Sequence, residues 1–230
     1  MKHQLTKEIN VKHCFRLLPI LAFCAGAQFA FAQPPAVSDW PTIKIELESM
    51  FKSDQALRNE FNTMQVEARA KGVEVEKSAR DALWARINEQ DGINQKRLAE
   101  IVEKNGWPKK SDVGSLGATA AFLIVQHAPL DYQLKNIDHL REAAMAGEAA
   151  KSDVALLEDR VLIRQGKPQR FGLQVDTKRG VSILPTEDEA NLDARRKTMD
   201  LGPICEYLVK FVKASGNINY APCIKKVVAP

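Results

Sequence analysis

Ala118-Thr119-Ala120-Ala121-Phe122-Leu123-Ile124-Val125-Gln126-His127-Ala128 decides how this chain folds. A stretch apolar on consecutive positions leaves no polar stripe for water, so as a helix it must be wrapped by others. It predicts the buried central helix of a mainly α domain. Ser111 or Asp112 can cap it, and Pro129 ends it or opens the next helix.

On the N-terminal side, Ile43, Ile45, Leu47, Met50, Phe51, Leu57, Phe61 and Met64 recur at helical spacing. They predict one long amphipathic helix, or two in series, ending near Gly72. A further helix starts near Glu74 with Leu83, Trp84 and Ile87. Asp91-Gly92 is expected to interrupt or kink it before Leu98, Ile101 and Val102 carry the stripe to Gly106. Beyond the central run, one helix is expected to carry Leu130, Leu134, Ile137, Leu140 and Met145 to Gly147, and another to span roughly Ala149 to Arg164. The texture then changes. Gln169–Val175 and Gly180–Leu184, separated by Asp176-Thr177-Lys178-Arg179, suggest a β-hairpin near 169–184. Thr186 with Glu189 resembles a capping box opening a helix to Met199, and another helix follows from Pro203 to Lys213. The expected architecture is a single helical domain over 43–214 with one small β-hairpin insert. An extended lead-in (33–42) precedes it and a tail (215–230) follows.

Residues 1–32 read as a secretory signal. Lys2, Lys7, Lys12 and Arg16 precede an apolar run from Leu17 to Phe31, and Ala30-Phe31-Ala32 suits signal peptidase. A lipidated Cys24 is disfavoured by Phe23 before it. The mature chain is expected to begin at Gln33, in the periplasm or outside the cell, with no stable membrane insertion. Removing the leader takes four of the 33 Lys and Arg and one of the 29 Asp and Glu. The near balance that remains gives no basis for nucleic acid as a partner. Cys205 and Cys223 survive in an oxidising compartment. A bond across their eighteen-residue separation is favoured over two unpaired thiols. With only His127 and His139 left and no Cys/His cluster, neither a metal nor another cofactor is expected.

Polar residues in the wrong place mark the candidate site. Gln126 and His127 interrupt the apolar run and need partners or solvent. If the helical path survives Pro129, Asp131 shares a face with His127 and would orient its ring as a general base. A core histidine bonded to a carbonyl is the alternative. Asp159-Arg160 ends another apolar stripe, either as an architectural pair or as an anion contact. Gln169 and Gln174 flank Gly172, and their amides could read a polar ligand. Of Arg195 and Arg196, at most one faces inward, where its fork would suit a carboxylate or phosphate.

Ordered motifs tie these residues together. Asp54-Gln55-Ala56-Leu57-Arg58, Asp91 with Asn94, Gly106-Trp107-Pro108 and Val125-Gln126-His127-Ala128 with Asp131 come first. Asp159-Arg160-Val161, Gln169 with Gly172 and Gln174, and Arg195-Arg196 ahead of Gly202 follow. From about Asp54 to Leu208 the chain resembles a widespread bacterial family known only as a domain of unknown function. The resemblance implies that Asp54, His127, Asp131, Arg160, Gln169, Gln174 and Arg196 form one shared polar set. It departs at Phe171-Gly172-Leu173-Gln174, where such proteins tend to have Tyr-Gly-Thr-Gln, so a phenol and a hydroxyl are missing here.

Two functions follow as expectations. One is an exported hydrolase acting on a small polar or anionic ligand. His127 would be its general acid/base, Asp131 and Asp54 would be acids of the site, and Arg160, Gln169, Gln174 and Arg196 would hold the ligand. The chain has no Gly-x-Ser-x-Gly elbow and no phosphate-cradling glycine loop, which leaves water as the attacking group. The other is a non-catalytic periplasmic binding module: an inhibitor, an immunity-like protein or a sensor, with an envelope protein as partner.

Overall fold

A computed structural model of the protein describes residues 39–227. The expected leader and most of the lead-in fall outside them. Within them the chain is mainly helical, with a small antiparallel hairpin.

Helix α1 (Trp40–Ala70) starts three residues before Ile43, inside the expected lead-in, because Asp39 accepts the Thr42 N–H and Pro41 occupies its first turn. Helix α2 (Lys77–Asn105) runs unbroken through Asp91-Gly92 and ends at Gly106. The expected interruption does not occur. A single glycine costs a helix interior only about 1 kcal/mol, and here the helix is fastened on both sides of it. Ile87 and Leu98 are fully buried, and Arg58 of α1 grips Asp91.

Helix α3 (Lys110–His127) carries the opening motif. Neither Ser111 nor Asp112 caps it; Lys109 is the N-cap residue, and the Ser111 N–H is taken by Glu148. At Gly114 the backbone turns to φ 72°, so the continuous apolar helix begins after that residue. From there the expectation of a wrapped helix holds. Ala120, Ala121, Phe122, Ile124 and Val125 share one core with Ile43 and Leu47 of α1 and with Leu98 and Ile101 of α2. The same core takes in Ile137 and Leu140 of α4 (Leu130–Met145) and Val154, Leu157 and Val161 of α5 (Lys151–Arg164).

The hairpin is shorter than expected: β1 (Val175–Asp176) pairs antiparallel with β2 (Ser182–Ile183), with Val175 opposite Ile183. Residues 169–174 form a loop instead of a strand, because a buried carboxylate gathers their N–H groups, as described below. Thr186 does not cap a helix; its hydroxyl donates to the Leu184 carbonyl. A 3-10 turn (Glu189–Asn191) leads into α6 (Leu192–Thr198), followed by α7 (Ile204–Ser215) and α8 (Ala221–Val227). The Cys205–Cys223 disulfide joins α7 to α8. It lies beside a second small core of Val181, Leu192, Ile204, Leu208 and Tyr220. No helix among the described residues is long and apolar enough to cross a membrane.

Candidate active site

His127 is the last residue of α3, and the chain after it does not continue as a helix. Ala128 and Pro129 are both extended, with ψ of 164° and 161°. Proline disfavours the helical conformation in the residue before it, and that swings α4 away. The expected pairing of His127 with Asp131 fails for this reason. Asp131 sits exposed in the first turn of α4, where its charge suits the helix N-terminus.

Asp54 of α1 takes the expected role. Its Oδ1 lies 2.9 Å from His127 Nδ1, and the residue is only 2% exposed. Two neighbours hold this carboxylate. Arg58, one turn on, places Nη1 2.7 Å from Asp54 Oδ1. Gln55 Nε2 donates to Asp54 Oδ2 at 2.7 Å. Burial alone would push the Asp54 pKa up. The hydrogen bond and charge of His127, the Arg58 charge and the Gln55 hydrogen bond outweigh it, and the pKa falls below its ordinary value. Asp54 is therefore a carboxylate at neutral pH, able to accept the Nδ1–H and leave Nε2 with the lone pair. Nε2 has no hydrogen-bond partner among the described residues.

The second Arg58 nitrogen, Nη2, donates to both oxygens of Asp91 on α2, at 3.0 and 2.8 Å. One guanidinium thus bridges two acids from different helices. Asp54, Asp91 and His127 each offer a ligand atom, all within 4.8 Å of one another, and these are the residues that could hold a cation. The guanidinium already provides the positive charge between the two carboxylates, so the donor set is balanced as it stands. His127 and Asp91 line a cavity of about 510 Å3 together with Asn88, Gln95, Leu130 and Arg164.

The remaining expected residues divide between the end of α3 and a separate loop frame. Although it does not line the cavity, Arg160 belongs to the end of α3 behind His127: its Nη1 donates to the Gln126 carbonyl at 3.2 Å. Gln169 does not. Fully buried, it uses Nε2 on the carbonyls of Gln174 and Leu184 and Oε1 on the Gln174 N–H. It braces the 169–174 loop from inside. Gln174 contributes its backbone to that brace, and its side-chain Nε2 is buried without a partner. Arg196 is 1% exposed and holds the Phe171 carbonyl at 2.6 Å and the Gly202 carbonyl at 2.7 Å, with its guanidinium 5.2 Å from the Tyr207 ring centre. It is not placed to meet a ligand, because its fork is occupied by backbone.

Asp159 organises the same loop. One carboxylate accepts the N–H groups of Arg170, Phe171 and Leu173, at 2.8, 3.0 and 2.8 Å. Gly172 between them adopts φ 69°, which turns successive N–H groups toward one point. At the Phe171 and Leu173 departures both side chains are buried in an apolar cluster with Ala155, where a phenol or hydroxyl is not needed for packing.

Sequence reasoning assigned no role to Arg58, Asp91 or Arg164. Arg58 and Asp91 lie inside the resemblance motifs, and Arg164 sits one helical turn after Arg160. Those were the signals available for each.

Fold and site together define a mainly helical domain in which a buried aspartate holds a part-buried histidine beside an open cavity. Residues 41–218 match the family of unknown function DUF6624, and the chain belongs to that family. No curated protein and no solved structure matches it.

Proposed function

We propose that the protein is exported and acts on a small polar ligand bound in the His127 cavity, as a hydrolase with water as the attacking group. One observation carries this reading. A histidine on the cavity wall has its Nδ1 held by a buried, ionised aspartate, while its Nε2 is without a partner among the described residues. In the reaction, Nε2 takes a proton from water as the water attacks the ligand, then returns it to the leaving group. Asp54 fixes the tautomer and stabilises the imidazolium that forms between those two steps. Arg58 and Gln55 hold Asp54 ionised and in place. The apolar leader and the disulfide support export, since such bonds persist outside the reducing cytoplasm.

Mass spectrometry of a pool of small polar envelope metabolites, incubated with the folded protein, tests this. The wild type should deplete at least one compound and yield its hydrolysis product. His127→Ala should reduce that rate by about 10^2 to 10^4, the usual contribution of a positioned acid/base, with a melting temperature near that of the wild type. A collapse in melting temperature would make His127 a structural residue and overturn the reading.

The alternative, a non-catalytic binding module, draws on the far end of the α1–α2 hairpin. There Trp84 is 43% exposed against Phe61, and Val66 and Val73 are more exposed still. A stoichiometric envelope protein that stays bound after His127→Ala, with no compound consumed, would favour it.

A further inference from the structure

The cations around His127 are not all balanced. On the α1–α2 side Arg58 is matched by acids, lying between Asp54 and Asp91. On the α5 side the pattern breaks. Arg160 and Arg164, one helical turn apart and so on one face, have no carboxylate within ion-pair distance among the described residues. Arg160 Nη1 donates to the carbonyl of Gln126 and Arg164 Nη1 to that of Ala128, at 3.2 and 2.6 Å. Those carbonyls belong to the residues immediately before and after His127, so both guanidiniums are fastened to the end of the helix that carries it.

Capping the end of α3 explains one hydrogen bond from each arginine. It leaves most of their donors unused. Among the described residues, Arg160 Nε is buried with no partner, and so are both side-chain amide atoms of Gln126, a residue only 2% exposed. Burial lowers the Arg160 pKa, and the charges of Arg164 and Arg58 lower it further against an opposing contribution from Tyr207. Arg164 lines the same cavity as His127.

We propose that Arg164, in the wall of the His127 cavity, and Arg160, behind it at the end of α3, form an anion subsite, so that the ligand presented to Nε2 carries a carboxylate or a phosphate. This rests on the ligand-binding reading above and names the ligand's class. Arg164 is the outer contact, and Arg160 with the Gln126 amide forms the inner one.

The test is a titration of the folded protein with inorganic phosphate and, separately, with acetate, at constant ionic strength against chloride. Two readouts are followed: the His127 ring resonances and the melting temperature. At least one of the two anions should shift the His127 resonances saturably and raise the melting temperature. Arg164→Gln should weaken binding by about tenfold or more, as expected for loss of a charge-assisted hydrogen bond. Arg160→Lys, which keeps the charge but loses Nε and the fork, should weaken it as well. Saturation by phosphate alone identifies a phosphate ligand, and saturation by acetate identifies a carboxylate. The proposal is overturned if neither anion saturates, or if both arginine variants bind as the wild type does. Anion binding that survives His127→Gln, with no compound consumed by the wild type, would retain the subsite while removing the hydrolase.

Discussion

At the scale of single residues, the candidate site depends on Asp54. Asparagine at position 54 would keep the shape and lose the charge that Arg58 and His127 face. Asp54→Asn should therefore destabilise the fold by about 3–5 kcal/mol, the range for breaking a buried ion pair, as read by urea unfolding at pH 7. The pH dependence has a definite sign. The Asp54 pKa is lower folded than unfolded, so its stabilisation is fully present above the ordinary aspartate value and is lost as pH falls through the folded one. The wild type should lose stability relative to Asp54→Asn below about pH 4, and a gap between them that stayed constant from pH 7 to pH 2 would contradict this. His127 was legible in the sequence because a titratable ring stood in an apolar run. Its partner was not, because spacing on one helix points to Asp131, whereas Asp54 lies 73 positions away. Only folding brings α1 against the end of α3.

At the scale of elements, helices were read more faithfully than the segments between them. Apolar periodicity reports burial directly, and so the central helix and its wrapping were visible as a pattern. The 169–174 loop was not, because its shape comes from Asp159 on α5 and not from its own residues. Asp159→Ala leaves three N–H groups without their acceptor, so about 3–5 kcal/mol of stability should be lost. Hydrogen exchange should quicken first at the Arg170, Phe171 and Leu173 amides. Exchange unchanged at those three positions would show the loop to be held by something else. Gly172→Ala tests the same geometry. A side chain at φ 69° is strained, and its Cβ would lie 3.1 Å from Ile204 Cδ1, so a loss of about 1–3 kcal/mol is expected.

At the scale of the whole molecule, the disulfide fastens the C-terminal helix to the body of the domain. Closing a loop of 18 residues is worth about 3 kcal/mol in the chain-entropy account. Cys205→Ser with Cys223→Ser, or a strong reductant, should lower the melting temperature by roughly 6–12 °C for a domain of this length. A smaller shift would mean that Tyr220 and the second core already hold the tail. Two cysteines behind an expected export signal were enough to anticipate this bond. The balance of charge at the site was not readable, because which cations find acids is decided by helices that meet only in the folded chain. The export proposal makes its own prediction: intact mass from the cell envelope should match a chain beginning at Gln33.

The protonation state of the His127 ring tests the Asp54–His127 pair most directly. Nitrogen-resolved NMR of the folded protein, at a pH where the ring is neutral, should find the proton on Nδ1 and a bare Nε2. In Asp54→Asn that preference should disappear. A proton on Nε2 in the wild type, with Nδ1 bare, would contradict the general-base role given to His127.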